Sequence, residues 1–210
     1  MFGIKWKSRS MNIWQILIKR ILGCRKCGPG MFCAYPNATS ETGNCSAGYY
    51  CRQGADTPTP GVGALGDAGP CPAGSYCPQK TGEPKKCPIG HYSNRTHLKN
   101  SSDCERCQYG QYCGEAGLTN FSGPCDPGFY CLRGSEVPNP PHVTLSGGPC
   151  PEGHYCKKGT SHPQLCLEGT YNNRTGQSEC QQCCTGYYCL EGSKSCVLEC
   201  PNGHYCPSCT

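Results

Sequence analysis

Hydrophobic positions are distributed very unevenly along this chain of 210 residues. Met1 to Gly23 contains both tryptophans and an apolar run from Met11 to Ile18, with no cysteine or acidic residue. From Cys24 onward, only 17 of 187 residues are Leu, Ile, Val or Phe. Such a segment buries too little apolar area to offset the conformational entropy lost on folding. The pattern therefore predicts that the main part of the chain lacks one large hydrophobic core.

Cysteine, glycine and an aromatic residue recur in a fixed order, as in Cys71-Pro-Ala-Gly-Ser-Tyr-Cys77. The segment Cys-x-x-Gly-x-aromatic occurs ten times, which makes the chain a tandem repeat. Proline and glycine at this spacing predict a type I turn with glycine at its fourth position. The aromatic ring is then expected beside sulfur, where it can cover a disulfide. The ten repeats begin at Cys27, Cys45, Cys71, Cys87, Cys107, Cys125, Cys150, Cys166, Cys183 and Cys200.

The repeats have two forms, and their order defines a longer period. In the common form a second cysteine follows the aromatic residue, whereas the repeats at Cys87 and Cys166 continue to Cys104 and Cys180. Four repeats form a unit of about 80 residues, so we divide the chain at unit boundaries. Residues 1–23 form a leader, 24–106 a first super-repeat, 107–182 a second and 183–210 a partial third. Both ends fall within a unit, so we interpret the chain as a piece of a longer array.

Cysteine density and glycosylation motifs indicate the compartment. The chain has 24 cysteines, a level typical of disulfide scaffolds, and each bridge contributes about 2–4 kcal/mol. We predict small disulfide-rich repeats with short β-hairpins and loops, little or no helix, in an elongated tandem array. Six Asn-x-Ser/Thr motifs predict glycosylation and an extracellular location, secreted or on an ectodomain. Their asparagines are Asn37, Asn44, Asn94, Asn100, Asn120 and Asn173.

The leader is open to three interpretations. Its basic start and apolar run resemble a signal peptide, although Lys19 and Arg20 fit this poorly. Met11, Trp14, Ile18 and Ile21 also share one helical face, as in an interfacial membrane helix. The third interpretation is a non-native start. Five basic residues in the leader account for the formal net charge of +5, so charge gives no reason to expect nucleic acid as a partner of the array.

The repeats resemble the ephrin-receptor-like cysteine-rich module, within the growth-factor-receptor and tumour-necrosis-factor-receptor-like group. The resemblance rests on Cys-Pro-x-Gly-x-Tyr, a polar loop and a closing Cys-x-x-Cys, and Cys87–Cys107 and Cys166–Cys183 fit it best. This resemblance implies a receptor ectodomain module, and it implies no kinase activity.

Disulfides are predicted within single repeats. Cys87–Cys104 and Cys166–Cys180 each enclose a polar loop with a glycosylation motif, and we predict both bridges. In the common form we favour closure such as Cys71–Cys77, with staggered pairing of Cys104–Cys113 and Cys107–Cys125 as the alternative. Cys184, Cys196 and Cys209 have no counterparts in other repeats; Cys184 and Cys196 could pair, which leaves Cys24 and Cys209.

We therefore predict a non-enzymatic extracellular segment that acts as a spacer or a protein-binding surface, without cofactor or metal. Its partner is an unknown extracellular protein or the neighbouring repeats of a parent chain, and membrane contact is expected only through residues 1–23. Exposed residues that differ between repeats are binding candidates: Tyr35, Tyr109, Phe121 and Arg133. Thiol–disulfide exchange at Cys104/Cys107 or Cys180/Cys183 is one alternative, and zinc binding at the four Cys-x-x-Cys motifs is another. These motifs are Cys24/Cys27, Cys104/Cys107, Cys180/Cys183 and Cys206/Cys209.

Overall fold

A computed structural model describes residues 25–64 and 66–206. Within these residues the chain forms nine two-stranded antiparallel sheets and one 3₁₀ turn, with no α-helix. The predicted fold class of small disulfide-rich hairpin repeats is confirmed. No helix in this part of the chain has the length and apolar character needed to cross a membrane. The interpretations of the leader, Cys24 and Cys209 concern residues outside the described ranges.

Every hairpin joins two consecutive strands, most of them only two residues long. The pairs are β1 (Met31–Phe32) with β2 (Gly43–Asn44), β3 (Tyr49–Gln53) with β4 (Asp67–Pro70), β5 (Ser75–Tyr76) with β6 (Lys85–Lys86), β7 (His91–Tyr92) with β8 (Glu105–Arg106), β9 (Gln111–Tyr112) with β10 (Gly123–Pro124), β11 (Phe129–Cys131) with β12 (Gly147–Pro149), β13 (His154–Tyr155) with β14 (Gln164–Leu165), β15 (Thr170–Tyr171) with β16 (Gln181–Gln182), and β17 (Tyr187–Tyr188) with β18 (Leu198–Glu199). The 3₁₀ turn η1 (Ser101–Asp103) lies between β7 and β8.

The turn before each hairpin lies one residue later than the sequence predicted. In the third repeat the Ser75 N–H donates to the Pro72 carbonyl at 3.2 Å, so Gly74 occupies the third position of the turn. Gly74 has a φ of 76°, whereas Ala73 is not among the residues with positive φ. This combination is typical of a type II turn, which requires glycine at the third position. The prediction of a type I turn with glycine fourth was therefore wrong, and the positive φ explains why every repeat has this glycine.

Eleven disulfides connect the described cysteines, and each lies within one repeat. Cys71–Cys77 represents the common form, in which the two cysteines are six residues apart. The longer bridges are Cys87–Cys104, Cys166–Cys180 and Cys184–Cys196. Cys104 is bonded to Cys87, and Cys113 is bonded to Cys107. The staggered alternative, in which Cys104 pairs with Cys113, is therefore not the pairing in the structure. The remaining common-form bridges are Cys27–Cys33, Cys45–Cys51, Cys107–Cys113, Cys125–Cys131, Cys150–Cys156, Cys183–Cys189 and Cys200–Cys206.

Sulfur takes the place of an aliphatic core. Sixteen of the nineteen buried apolar residues in the described ranges are cysteines, and the others are Ala55, Tyr92 and Leu98. The aromatic residue of one repeat packs on the disulfide of the next, as Phe32 does on Cys45 and Cys51. Tyr76 packs in the same way on Cys87–Cys104, and Tyr92 on Cys107–Cys113. The ring therefore covers the neighbouring repeat's bridge and links consecutive repeats.

A ladder of backbone hydrogen bonds also links consecutive repeats. The Gly74 N–H donates to the Ser93 carbonyl at 2.8 Å, and the Cys87 N–H donates back to the Gly74 carbonyl at 2.9 Å. The same two bonds recur at each of the nine junctions, from Gly30 and Cys45 to Gly186 and Cys200. Repeats therefore stack in chain order, as they do in other tandem-repeat proteins.

Candidate functional site

A cleft lined by histidine and arginine side chains lies where the fourth and sixth repeats meet. His91 and Arg106 are paired across hairpin β7–β8, and Arg133 follows β11. All three line two adjoining cavities of about 580 and 500 Å³. The stacking of repeats thus brings together residues that are distant in sequence, and we name this the arginine cleft.

The acidic groups at one side of the cleft already have partners. Glu105 lies 3.6 Å from the Arg95 guanidinium. The Asp103 carboxylate accepts hydrogen bonds from the Asn100 and Lys99 N–H groups, both at 2.9 Å, and these bonds lower the pKa of Asp103. Arg95 also donates to the Asp103 carbonyl at 3.2 Å. Among the described residues, neither Arg106 nor Arg133 forms an ion pair.

Both arginines therefore have donors available for a partner. A planar guanidinium presents several donors in a fixed geometry and binds carboxylates in a bidentate way. Glu136 lines the second cavity as its one acidic residue. The cleft can thus accept an acidic group from a partner through Arg106 and Arg133, although its lining holds as many acidic side chains as arginines.

An exposed apolar loop borders the second cavity. The Thr144 N–H donates to the Gly147 carbonyl at 2.7 Å, which closes a tight loop. Leu145 at its tip is 99% exposed, and Val143 is 74% exposed. An exposed aliphatic side chain beside unpaired arginines is the combination of apolar contact and charged donors that protein interfaces use.

The four binding candidates from the sequence lie at different places. Arg133 lines the arginine cleft, whereas Tyr109 packs against His162 with ring centroids 5.7 Å apart. The Phe121 and Tyr92 rings are nearly perpendicular, with centroids 6.5 Å apart, and Tyr35 is exposed in the β1–β2 loop. The structure does not bring these four residues together.

Sequence reasoning missed Arg106 and Leu145 as binding candidates. A signal was present, because the equivalent hairpin β15–β16 pairs Thr170 with Gln182 where β7–β8 pairs His91 with Arg106. The basic pair thus distinguishes one super-repeat from the next. The sequence could not show that Arg133 lies beside it.

In the two Cys-x-x-Cys motifs that lie wholly within the described ranges, the two cysteines belong to separate disulfides. Cys104 is bonded to Cys87 and Cys107 to Cys113, and the Cys180/Cys183 pair is divided in the same way. Zinc binds thiolates, which these oxidised sulfurs cannot supply. A redox Cys-x-x-Cys motif would instead be bonded within the motif, so the geometry favours neither alternative.

Each histidine before tyrosine makes a local contact with the backbone of its own turn. Nδ1 of His91, His154 and His204 lies 3.0–3.3 Å from the carbonyl oxygen two residues earlier.

All six asparagines of the glycosylation motifs are exposed, which leaves their side chains accessible to a modifying enzyme. Asn94 and Asn173 occupy equivalent positions in the two long-loop repeats.

No protein-family model matches this chain, and the comparison with curated proteins finds no match either.

Proposed function

We propose that this chain is a non-enzymatic extracellular cysteine-rich repeat segment that acts as a structural spacer with a protein-binding surface. The observation that carries the proposal is the construction of the stack. Each repeat is closed by its own disulfide and is hydrogen-bonded to the next repeat at every junction. Such a stack can be lengthened by further repeats, because each repeat contacts only repeats close to it in the chain, and this suits a spacer.

The extracellular location is supported by the eleven disulfides and the six exposed glycosylation motifs. Disulfides persist in oxidising compartments, and N-glycans are added in the secretory pathway. The resemblance to the ephrin-receptor-like module supports an ectodomain origin. A fragment of a longer ectodomain is the form we propose.

Secretion and solution scattering test the spacer function. The protein expressed in a secretory host should reach the medium with nearly all cysteines paired and with mass lost on enzymatic removal of N-glycans. Its scattering should show the asymmetric distance distribution of an elongated particle, and the shape should be lost on reduction. Free thiols with stoichiometric zinc, or a compact globular profile, would contradict the proposal.

The arginine cleft supports protein binding as the second part of this function. We propose a protein partner that presents a carboxylate beside an apolar group. The carboxylate would bind Arg106 and Arg133, and the apolar group would pack on Leu145. Substitution Arg106→Gln together with Arg133→Gln should weaken binding to a captured extracellular partner, whereas Arg174→Gln, at the position in the next super-repeat that is equivalent to Arg95, should not. Equal binding by both variants would remove the cleft from the proposal.

A further inference from the structure

The ninth repeat contains a disulfide that has no counterpart elsewhere in the described array. Its turn is closed by Cys183–Cys189, like the other common-form turns, and Cys184–Cys196 is an additional bridge. The other repeats fold without such a bridge. Its presence here therefore needs a reason other than closure of the repeat.

This additional bridge is unusually accessible. Cys184 is the one exposed cysteine in the described ranges, and Cys196 is only half-buried. In most of the other bridges at least one cysteine is buried, Cys200–Cys206 being the exception. Attack by an external thiolate requires access to a disulfide sulfur, so Cys184–Cys196 satisfies the first condition for exchange.

The neighbouring bridge lies within reach of the sulfur that would be released. The Sγ atoms of Cys183, Cys189 and Cys196 all lie within 4.8 Å of one another, and Cys184 is not part of this group. The Cys184 N–H also points to the Cys196 sulfur at 3.1 Å. A backbone donor stabilises a thiolate over a thiol. Cys196 is therefore placed both to leave as a thiolate and to attack Cys183–Cys189.

We propose that the four cysteines of the ninth repeat form a thiol-responsive exchange site, whose substrate is a small or protein thiol. The external thiolate attacks the Cys184 sulfur, forms a mixed disulfide there and releases Cys196 as a thiolate. Cys196 attacks one sulfur of Cys183–Cys189, and the other sulfur leaves as a thiolate and takes a proton. One thiol is consumed and one is formed, and the number of disulfides stays constant.

The exchange would change the repeat that contains it. Cys183–Cys189 closes the turn that precedes strand β17, whose partner strand is β18. After exchange, Cys196 is bonded to Cys183 or Cys189, and the turn is no longer closed at both of its ends. The cross-link thus moves from the turn to the loop between the two strands of this hairpin.

Two matched variants test the site, because each removes the same disulfide and leaves a different sulfur. Cys184→Ser leaves Cys196 within the group of three sulfurs, and Cys196→Ser leaves Cys184 outside it. Peptide mapping at pH 8 under non-reducing conditions should find a second disulfide isomer, containing Cys196, in the first variant only. A single Cys183–Cys189 isomer in both variants, or the same mixture in both, would overturn the proposal.

The native protein provides a test that does not depend on the folding of variants. Limiting reduced glutathione followed by alkylation should place glutathione on Cys184 and the alkyl label on Cys183 or Cys189. Cys200–Cys206, which is equally free of buried cysteine, is the internal control and should stay closed longer. Earlier opening of Cys200–Cys206, or alkylation of Cys196 without any label on Cys183 or Cys189, would overturn the proposal.

Discussion

The two forms of repeat bury different residues at the position six residues after the first cysteine of the repeat. In the third repeat this position holds Cys77, which is fully buried and bonded to Cys71. In the long-loop repeats it holds Ser93 and Asn172, which are also fully buried. Their first cysteines are bonded further along the chain, at Cys104 and Cys180. This buried position therefore accepts either a disulfide-bonded cysteine or a small or hydrogen-bonded polar side chain.

Asn172 shows how a polar side chain replaces half of a disulfide. Its Nδ2 donates to the carbonyl groups of His154 and Glu179, at 2.8 and 3.1 Å. The Asn172 N–H donates to the Ser193 carbonyl in the next repeat, as the Cys77 N–H does to Leu98. The ladder between repeats is therefore the same in both forms, and only the bridge within the repeat differs.

The largest loss of unfolding free energy is expected when alanine replaces a glycine of the hydrogen-bond ladder that both forms of repeat share. A Cβ on Gly74 would overlap the carbonyl oxygen of Gly117, two repeats away, whereas a Cβ on Gly186 would meet no atom within 4 Å. Both residues have positive φ, so either substitution to Ala costs about 1–2 kcal/mol of backbone strain. Overpacking adds about 1–3 kcal/mol for Gly74→Ala. Denaturant unfolding of the two variants measures the difference, and equal losses would mean that next-but-one repeats do not touch.

Deletion of one bridge from each form gives the next largest effect. The chain-entropy relation predicts a loss of about 3 kcal/mol for Cys87→Ala with Cys104→Ala. It predicts about 2 kcal/mol for Cys71→Ala with Cys77→Ala, because the closed loop is shorter. The free energy of unfolding of both double variants tests this order. A larger loss for the short bridge would show that burial of sulfur, rather than loop closure, dominates its contribution.

Conversion of one form into the other has a smaller expected effect. Asn172→Cys with Cys180→Ala places a cysteine at the position that Cys77 has in the third repeat, so the introduced thiol should form a bridge with Cys166. The shorter loop should cost about 1 kcal/mol of stability. Peptide mapping identifies the bridge, and Cys180→Ala alone is the control with an unpaired Cys166. If Cys166 remains free in the double variant, the two forms are not interchangeable.

The smallest effect is expected at the loop position where Lys80 has a φ of 66°. Its N–H donates to the Cys45 carbonyl at 2.9 Å, as the N–H of Gly117 does to Cys87. Relief of the left-handed conformation in Lys80→Gly should raise the free energy of unfolding by up to about 1 kcal/mol. Lys80→Ala removes the same side chain but keeps the strain, so it should give no gain. A gain in both variants would point to the lysine side chain instead.

The sequence was sufficient for the features that repeat and insufficient for those that depend on stacking. Regular spacing of Cys71, Gly74 and Cys77 indicated hairpin repeats with local bridges, because these contacts are close in sequence. The position of the turn was wrong by one residue, since composition alone does not distinguish φ at neighbouring positions. The contact between Gly74 and Gly117, and the cleft that Arg106 shares with Arg133, join different repeats. No sequence pattern within one repeat encodes such contacts.

The central claim is that every repeat in the described ranges is closed by its own bridge, and that no disulfide joins it to a neighbouring repeat. Peptide mapping of the unreduced, alkylated protein tests it most directly. We predict Cys71–Cys77 and Cys87–Cys104 as the pairs of consecutive repeats, and the corresponding pairs throughout the described ranges. A bridge such as Cys104–Cys113, which joins one repeat to the next, would contradict the account.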